Sequence, residues 1–139
     1  MTPHQQQLVH ESWQQVVPIA DTASELFYNR LFELEPGLKP LFCGTDMTGQ
    51  RHKLIAALTA VVDNLDQVAE LAPIIAALGR RHRGYGVEAQ HYDVVGQALL
   101  DTLKTGLGES WSVELAEAWT TLYGTVAALM QDGANDPVN

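Results

Sequence analysis

Apolar residues recur along almost the whole of this 139-residue chain at the spacing of a helix face, three or four positions apart. Leu115, Trp119, Leu122 and Val126 are a clear example. No stretch alternates apolar and polar residues over the length of a strand. Helices with one apolar face must bury that face against other helices. The sequence therefore predicts an all-α protein.

Prolines, glycines and capping residues indicate where these helices begin and end. Thr2, Pro3 and Gln5 have the capping-box pattern of a helix start, whereas Pro36 ends the second helix, which begins at Asp21. We expect a single domain at residues 1–131, followed by a polar C-terminal tail at 132–139. The predicted helices cover residues 2–18, 21–35, 49–65, 68–83, 88–105 and 112–131, with a short helical turn through residues 41 and 42.

The charge balance and the single cysteine exclude several classes of protein. Seventeen acidic residues against eight Lys and Arg give a net charge of −9, which repels nucleic-acid phosphates and anionic membrane surfaces. Cys43 has no partner for an internal disulfide, which favours a reducing compartment. The chain has neither a signal-peptide pattern nor an apolar run of about 18 residues. We therefore expect a cytoplasmic protein.

His82 is the residue that most clearly points to chemistry. It follows Leu78 by four positions and Ile75 by seven, so it shares the apolar face of a predicted helix. A neutral imidazole in that position can bind a metal through one ring nitrogen. Taken alone, such a histidine is more often an ordinary core or helix-end residue. Its interpretation therefore depends on the motifs elsewhere in the chain.

Five motifs follow one another in order and at compatible spacings: residues 26–32, 36–42, 79–87, 91–96 and 118–124. With these motifs, the chain from Glu11 to Gly124 resembles bacterial single-domain globins and the globin domain of flavohaemoglobins. The resemblance implies an all-α globin fold, a three-over-three helical sandwich around haem b.

The resemblance assigns roles to four central residues. It implies that His82 is the proximal ligand of the haem iron and that Phe42 stacks on the haem. Tyr28 and Gln50 match the distal residues that stabilise bound oxygen. Dioxygen held at ferrous iron takes on partial negative charge, so a phenol and a carboxamide can both donate to it. Each such bond contributes about 1.5–3 kcal/mol.

The resemblance also implies a wider set of haem contacts. Leu54 matches the apolar residue over the iron, and Tyr92 matches a tyrosine that braces the proximal side. Haem propionates need cationic partners. Five of the eight Lys and Arg residues lie close in sequence to Gln50 or His82: Arg51, Lys53, Arg80, Arg81 and Arg83. The further contacts predicted are Leu54, Lys53, Leu78, Arg81, Tyr85, Val87, Tyr92 and Val95.

Two features leave the assignment open or depart from the family pattern. The connector before the predicted helix at residues 49–65 is short, which leaves the alignment of that helix with the family open. His52 therefore remains a competing distal ligand, although it lies about 200° around the helix from Gln50. Flavohaemoglobin-type globins place a glutamate on the last helix, where this chain has Ala134. Tyr92 therefore lacks an acidic partner, and peroxidase-like chemistry is not expected.

We expect a haem protein that binds dioxygen reversibly as a carrier, store or scavenger. One alternative is a nitric oxide dioxygenase that depends on a separate reductase. Another is a gas sensor that acts through a partner protein. Phe42 and His82 argue against a haem-free interaction domain. Carbon monoxide and nitric oxide are further expected ligands, and we expect a monomer or a weak homodimer.

Overall fold

The computed structural model describes residues 1–135, and within them every regular element is helical, as predicted. Short 3₁₀ segments, at Val17–Ile19, Pro36–Phe42, Leu65–Leu71 and Gly108–Ser110, connect the longer helices. No helix in this part of the chain is long and apolar enough to cross a membrane. The α-helices are α1 Pro3–Val16, α2 Ala20–Leu34, α3 Met47–Val62, α4 Ala72–Gly84, α5 His91–Leu107 and α6 Val113–Ala134.

Side-chain caps fix the starts of α1, α3 and α6. The predicted capping box is confirmed: the Gln5 amide N–H donates to the Thr2 hydroxyl, and the Thr2 N–H donates to the Gln5 side chain. Ser112 likewise accepts from the backbone of Leu115 at 3.1 Å. Asp46 accepts from the backbone of Thr48, which starts α3 two residues before the predicted position.

Other helix boundaries also differ from the prediction, among them the starts of α4 and α5 and the end of α6. Helix α4 begins at Ala72 rather than near residue 68, because the preceding segment is 3₁₀ and Gln67 has a non-helical backbone. Helix α5 begins at His91, whose Nδ1 accepts from the Glu88 backbone N–H at 2.9 Å. Helix α6 continues to Ala134, three residues past the predicted end. Residues 136–139 of the predicted tail lie outside the described residues.

Hydrogen-bonded tryptophans join α1 to α6 and α3. The Trp119 indole N–H donates to the Ser12 hydroxyl at 2.9 Å, and that hydroxyl donates to the Val9 carbonyl. The Trp13 indole N–H donates to Thr59 at 3.0 Å, and its ring centroid lies 5.9 Å from that of Trp119. These polar contacts satisfy the two indoles inside an otherwise apolar core and so fix how the helices meet.

A close crossing of α4 and α6 positions the helix that carries His82. A Cβ on Gly79 would overlap the backbone of Met130, and a Cβ on Gly133 would overlap the backbone of Ala76. The two helices can approach this closely because neither glycine has a side chain. The crossing lies one turn before His82 and therefore holds the C-terminal half of α4 against α6.

Candidate functional site

The structure brings Tyr28 and Gln50 together, as the sequence predicts. Tyr28 is a buried residue of α2, and Gln50 lies in the first turn of α3. The Gln50 Nε2 group donates to the Tyr28 hydroxyl oxygen at 3.2 Å. A phenol can accept one hydrogen bond and still donate another. The Tyr28 proton is therefore free to donate to a ligand beside the pair.

Burial keeps the Tyr28 hydroxyl protonated. Desolvation raises the pKa of Tyr28 above its usual value of 10.0, and the hydrogen bond from Gln50 opposes this shift only in part. The side chain is therefore a neutral phenol throughout the physiological pH range and keeps the proton that it can donate.

Phe42 forms an aromatic wall beside this polar pair. Its ring packs edge-on against Tyr28, with centroids 5.6 Å apart, and against Phe32, with centroids 5.5 Å apart. Phe27 contacts the other side of Tyr28 at 5.0 Å. Edge-to-face packing of this kind restricts each ring to one orientation. The half-buried Phe42 is thereby held as a rigid apolar surface at the end of its 3₁₀ segment.

His82 has the hydrogen bonding expected of a metal ligand. Its Nδ1 lies 2.7 Å from the Leu78 carbonyl oxygen, one turn earlier in α4. A carbonyl can only accept, so Nδ1 carries a proton, and in the neutral imidazole Nε2 is then the nitrogen with the lone pair. Histidine ligands usually donate their second ring N–H in this way, which fixes both tautomer and orientation. The donor chemistry of this half-buried residue therefore fits an axial ligand of haem iron.

The chain after His82 is also held in place. The His82 carbonyl accepts from the backbone N–H groups of Tyr85 and Val87, both at 3.0 Å. Gly86 has a φ of 96°, and Leu41 packs directly over it. This contact joins the loop after His82 to the segment that ends in Phe42.

The remaining predicted haem contacts divide by exposure. Tyr85 is 64% exposed, and its ring centroid lies 6.0 Å from that of His82. Lys53 and Arg81 are also exposed. They could therefore contact haem propionates at the protein surface, but they could not line the interior of a haem pocket. Tyr92 is buried, and the half-buried members of the set are Leu54, Leu78, Val87 and Val95.

The alternative distal ligand, His52, faces away from the pair formed by Tyr28 and Gln50. Its side chain is 67% exposed, and its Nε2 lies 3.7 Å from an Asp21 carboxylate oxygen. The helical register therefore separates His52 from Gln50 as the sequence predicts.

Sequence analysis missed the part that Tyr123 plays. Its hydroxyl donates to the Tyr92 carbonyl at 2.6 Å, and its ring packs so closely over Gly96 that a Cβ there would overlap it. Burial raises the pKa of Tyr123, with further contributions from Tyr92 and Asp93. Tyr123 comes directly after Leu122, a residue of the apolar helix face, so the apolar spacing does not mark it as a core residue. The only sequence signal for this contact is Gly96, which leaves room for the Tyr123 ring.

Comparisons with known proteins show which family this chain belongs to. The globin family model matches residues 25–130. Neuroglobin-1 of Oncorhynchus mykiss is 31% identical, with 96% of this chain and 92% of that protein covered. The flavohemoprotein of Bacillus subtilis is 33% identical over 77% of this chain. The match spans only about a quarter (27%) of the flavohemoprotein.

Solved structures show the same likeness. An engineered carbene transferase, RmaNOD from Rhodothermus marinus, superimposes with a TM-score of 0.85 and 29% identity over 96% of this chain and 93% of that chain. A bacterial globin from Campylobacter jejuni superimposes with a TM-score of 0.84 and 24% identity over 96% of each chain. The family match, these relatives and the all-helical architecture together establish that this chain belongs to the globin family.

Proposed function

We propose that this chain binds haem b with His82 as the axial ligand, and that it binds dioxygen reversibly. When bound, haem supplies the ferrous iron at which dioxygen, carbon monoxide or nitric oxide can be held. The observation that carries the proposal is the hydrogen bond from Gln50 to Tyr28. It orients a buried phenol whose own proton has no acceptor among residues 1–135, as a distal donor requires.

The proximal residues support this function by holding the imidazole in one state. The Leu78 carbonyl accepts a hydrogen bond from the Nδ1–H group of His82, which leaves Nε2 as the ligating atom. The backbone bonds from Tyr85 and Val87 hold the His82 carbonyl. An imidazole that is already oriented loses less conformational entropy when the cofactor binds.

Tyr28 and Gln50, the distal residues, support oxygen binding because they supply hydrogen-bond donors in apolar surroundings. Tyr28 presents a neutral O–H, and Gln50 occupies a lone pair of the same oxygen, so the Tyr28 proton points away from Gln50. The Phe42 and Phe27 rings exclude water from the sides of the phenol. Exclusion of water strengthens each hydrogen bond to a partly charged ligand.

The rate of oxygen dissociation tests this proposal. Loss of one charge-assisted bond of about 1.5–3 kcal/mol predicts that Tyr28→Phe releases oxygen about 10- to 100-fold faster than the native protein. Gln50→Leu should also accelerate release, because Tyr28 is no longer oriented. His52→Ala is the matched control and should leave the rate within about twofold of the native value, since His52 faces Asp21. An unchanged rate in Tyr28→Phe would contradict the assignment.

A second candidate function is nitric oxide dioxygenation, in which nitric oxide, dioxygen and one electron from a separate reductase give nitrate. The observation that favours it is the likeness to a flavohemoprotein and to RmaNOD, a protein named for this activity. Repeated consumption of nitric oxide, with nitrate formed in equal amount and a reductase supplying electrons, would support catalysis. A single turnover followed by accumulation of ferric protein would leave oxygen binding as the function.

A further inference from the structure

Backbone N–H groups hold the loop that follows His82, and one of them has a different kind of acceptor from the others. The N–H groups of Tyr85 and Val87 both donate to the His82 carbonyl at 3.0 Å. The next N–H, that of Glu88, donates to a side chain, the Nδ1 atom of His91, at 2.9 Å. The loop is therefore held towards α4 by a carbonyl, whose charge does not change with pH, and towards α5 by an imidazole, whose charge does.

The bond between Glu88 and His91 fixes the protonation state of the His91 ring. A backbone N–H can only donate, so Nδ1 of His91 has a lone pair, and the neutral ring carries its proton on Nε2. The His91 backbone N–H returns a bond to the Glu88 carbonyl at 3.0 Å. In a capping box, the side chain of Glu or Gln reaches back three residues in the same way. His91 thus takes the place of such an acceptor at the start of α5, but unlike glutamine it titrates near neutral pH.

Protonation of His91 would break this bond. An imidazolium carries a proton on both ring nitrogens and has no lone pair left to accept from the Glu88 N–H. Its positive charge would also lie in the first turn of α5, at the positive end of the helix dipole. Both effects act in the same direction. The bond is therefore present above the midpoint of the His91 titration and lost as the pH falls through it.

None of the neighbouring charged groups is hydrogen bonded to the His91 ring. Glu88 and Asp93 are exposed carboxylates, and Glu88 already accepts from the Gln90 side chain at 2.8 Å. Side chains on the helices beside this loop also have other partners: Tyr123 on α6 with the Tyr92 carbonyl, Arg30 on α2 with Asp101 and Glu33, and Arg83 on α4 with the Ala134 carbonyl. Within residues 1–135, the Glu88 N–H is therefore the only hydrogen-bond partner of the His91 ring.

We propose that His91 is a positioning residue that acts on His82 through the loop between them, and that protonation of His91 releases this loop. The proposal rests on the proposed binding of haem iron by His82. The neutral ring holds Glu88, the residue directly after Val87, whose N–H holds the His82 carbonyl. When His91 is protonated, Glu88 loses this contact and the loop is less constrained. His82 is then held less firmly, and haem leaves faster.

Amide spectra of the haem-loaded protein, recorded between about pH 8 and pH 5.5, where imidazoles titrate, test the bond itself. The protein is kept in its carbon monoxide form so that the iron does not change state with pH. The Glu88 amide proton should shift with the same midpoint as the His91 ring protons. In His91→Gln this shift should disappear, because a carboxamide accepts at any pH. An equal shift of the Glu88 amide in the native and His91→Gln proteins would overturn the proposal.

Transfer of haem to an excess of an apo-globin acceptor tests the effect on His82. Below the midpoint, the native protein should lose haem about two- to tenfold faster than His91→Gln, the factor expected for one hydrogen bond. Above the midpoint, the two proteins should lose haem at the same rate. Equal rates on both sides of the midpoint would overturn the link between His91 and His82.

His10→Gln is the matched control, because it removes an exposed histidine of α1 whose side chain makes no hydrogen bond within residues 1–135. It should lose haem at the native rate at each pH. The shift of the Glu88 amide does not depend on which residue binds the iron. Failure of this proposal can therefore be told apart from failure of iron binding by His82, which the visible spectrum of His82→Gly tests.

Discussion

Replacement of Gly79 by alanine should destabilise the protein, even though alanine is the better helix former. At the crossing of α4 and α6, the added Cβ would overlap the backbone of Met130. Backbone atoms inside a helix cannot rotate out of the way as the end of a side chain can. The helices would therefore have to separate, and this would move α4, the helix that carries His82, away from α6.

The structure sets the direction and size of this effect. Overpacking a tight site costs about 1–3 kcal/mol, and the upper end applies because the overlap involves backbone atoms. Alanine returns about 1 kcal/mol through its higher helix propensity. The expected net loss for Gly79→Ala is therefore about 2 kcal/mol, a decrease in Tm of about 6 °C for a chain of this length.

Gly124→Ala is the matched control, because Gly124 also lies inside a helix but has no atom within 4 Å of an added Cβ. It should stabilise the protein by up to about 1 kcal/mol. Thermal unfolding of the haem-loaded proteins, followed by circular dichroism, measures both changes. A Gly79→Ala protein as stable as the native one, or more so, would refute the close crossing and with it the account of how α4 is held.

Two further predictions follow from the buried polar groups. Ser12→Ala removes the acceptor of the buried Trp119 indole and should lower the free energy of unfolding by about 1–3 kcal/mol in urea titrations; no loss would contradict the role of this bond. Because burial raises the pKa of Tyr28, its hydroxyl should still donate at pH values where a free phenol begins to ionise. The oxygen dissociation rate should therefore stay constant up to about pH 10 and rise only above it, whereas a rise centred below about pH 9 would count against Tyr28 as the donor.

Much of the fold could be predicted from local signals. The box formed by Thr2 and Gln5 depends on residues three positions apart, and it is found where the sequence indicates. The start of α4 could not be predicted in this way. Leu65, Val68 and Leu71 keep the spacing of three that a 3₁₀ segment and an α-helix both allow, so periodicity does not distinguish them.

In the candidate site, too, some features could be predicted from the sequence, whereas contacts between distant parts of the chain could not. The pairing of Tyr28 with Gln50 and the burial of Tyr92 agree with the resemblance that the sequence carries. The contact of Gly79 with α6 and the bond from Arg83 to Ala134 join residues about fifty positions apart. Such contacts depend on how two helices cross, which neither helix specifies alone.

The most direct test of the central claim is the visible absorption spectrum of the purified protein, reduced with dithionite and then exposed to oxygen. We predict a broad five-coordinate ferrous spectrum that converts to a stable split-band spectrum on oxygenation, and loss of the five-coordinate histidine signature in His82→Gly. A sharp six-coordinate ferrous spectrum would contradict the distal arrangement, because it requires an internal ligand where Tyr28 and Gln50 lie. A protein that takes up no haem would contradict the account as a whole.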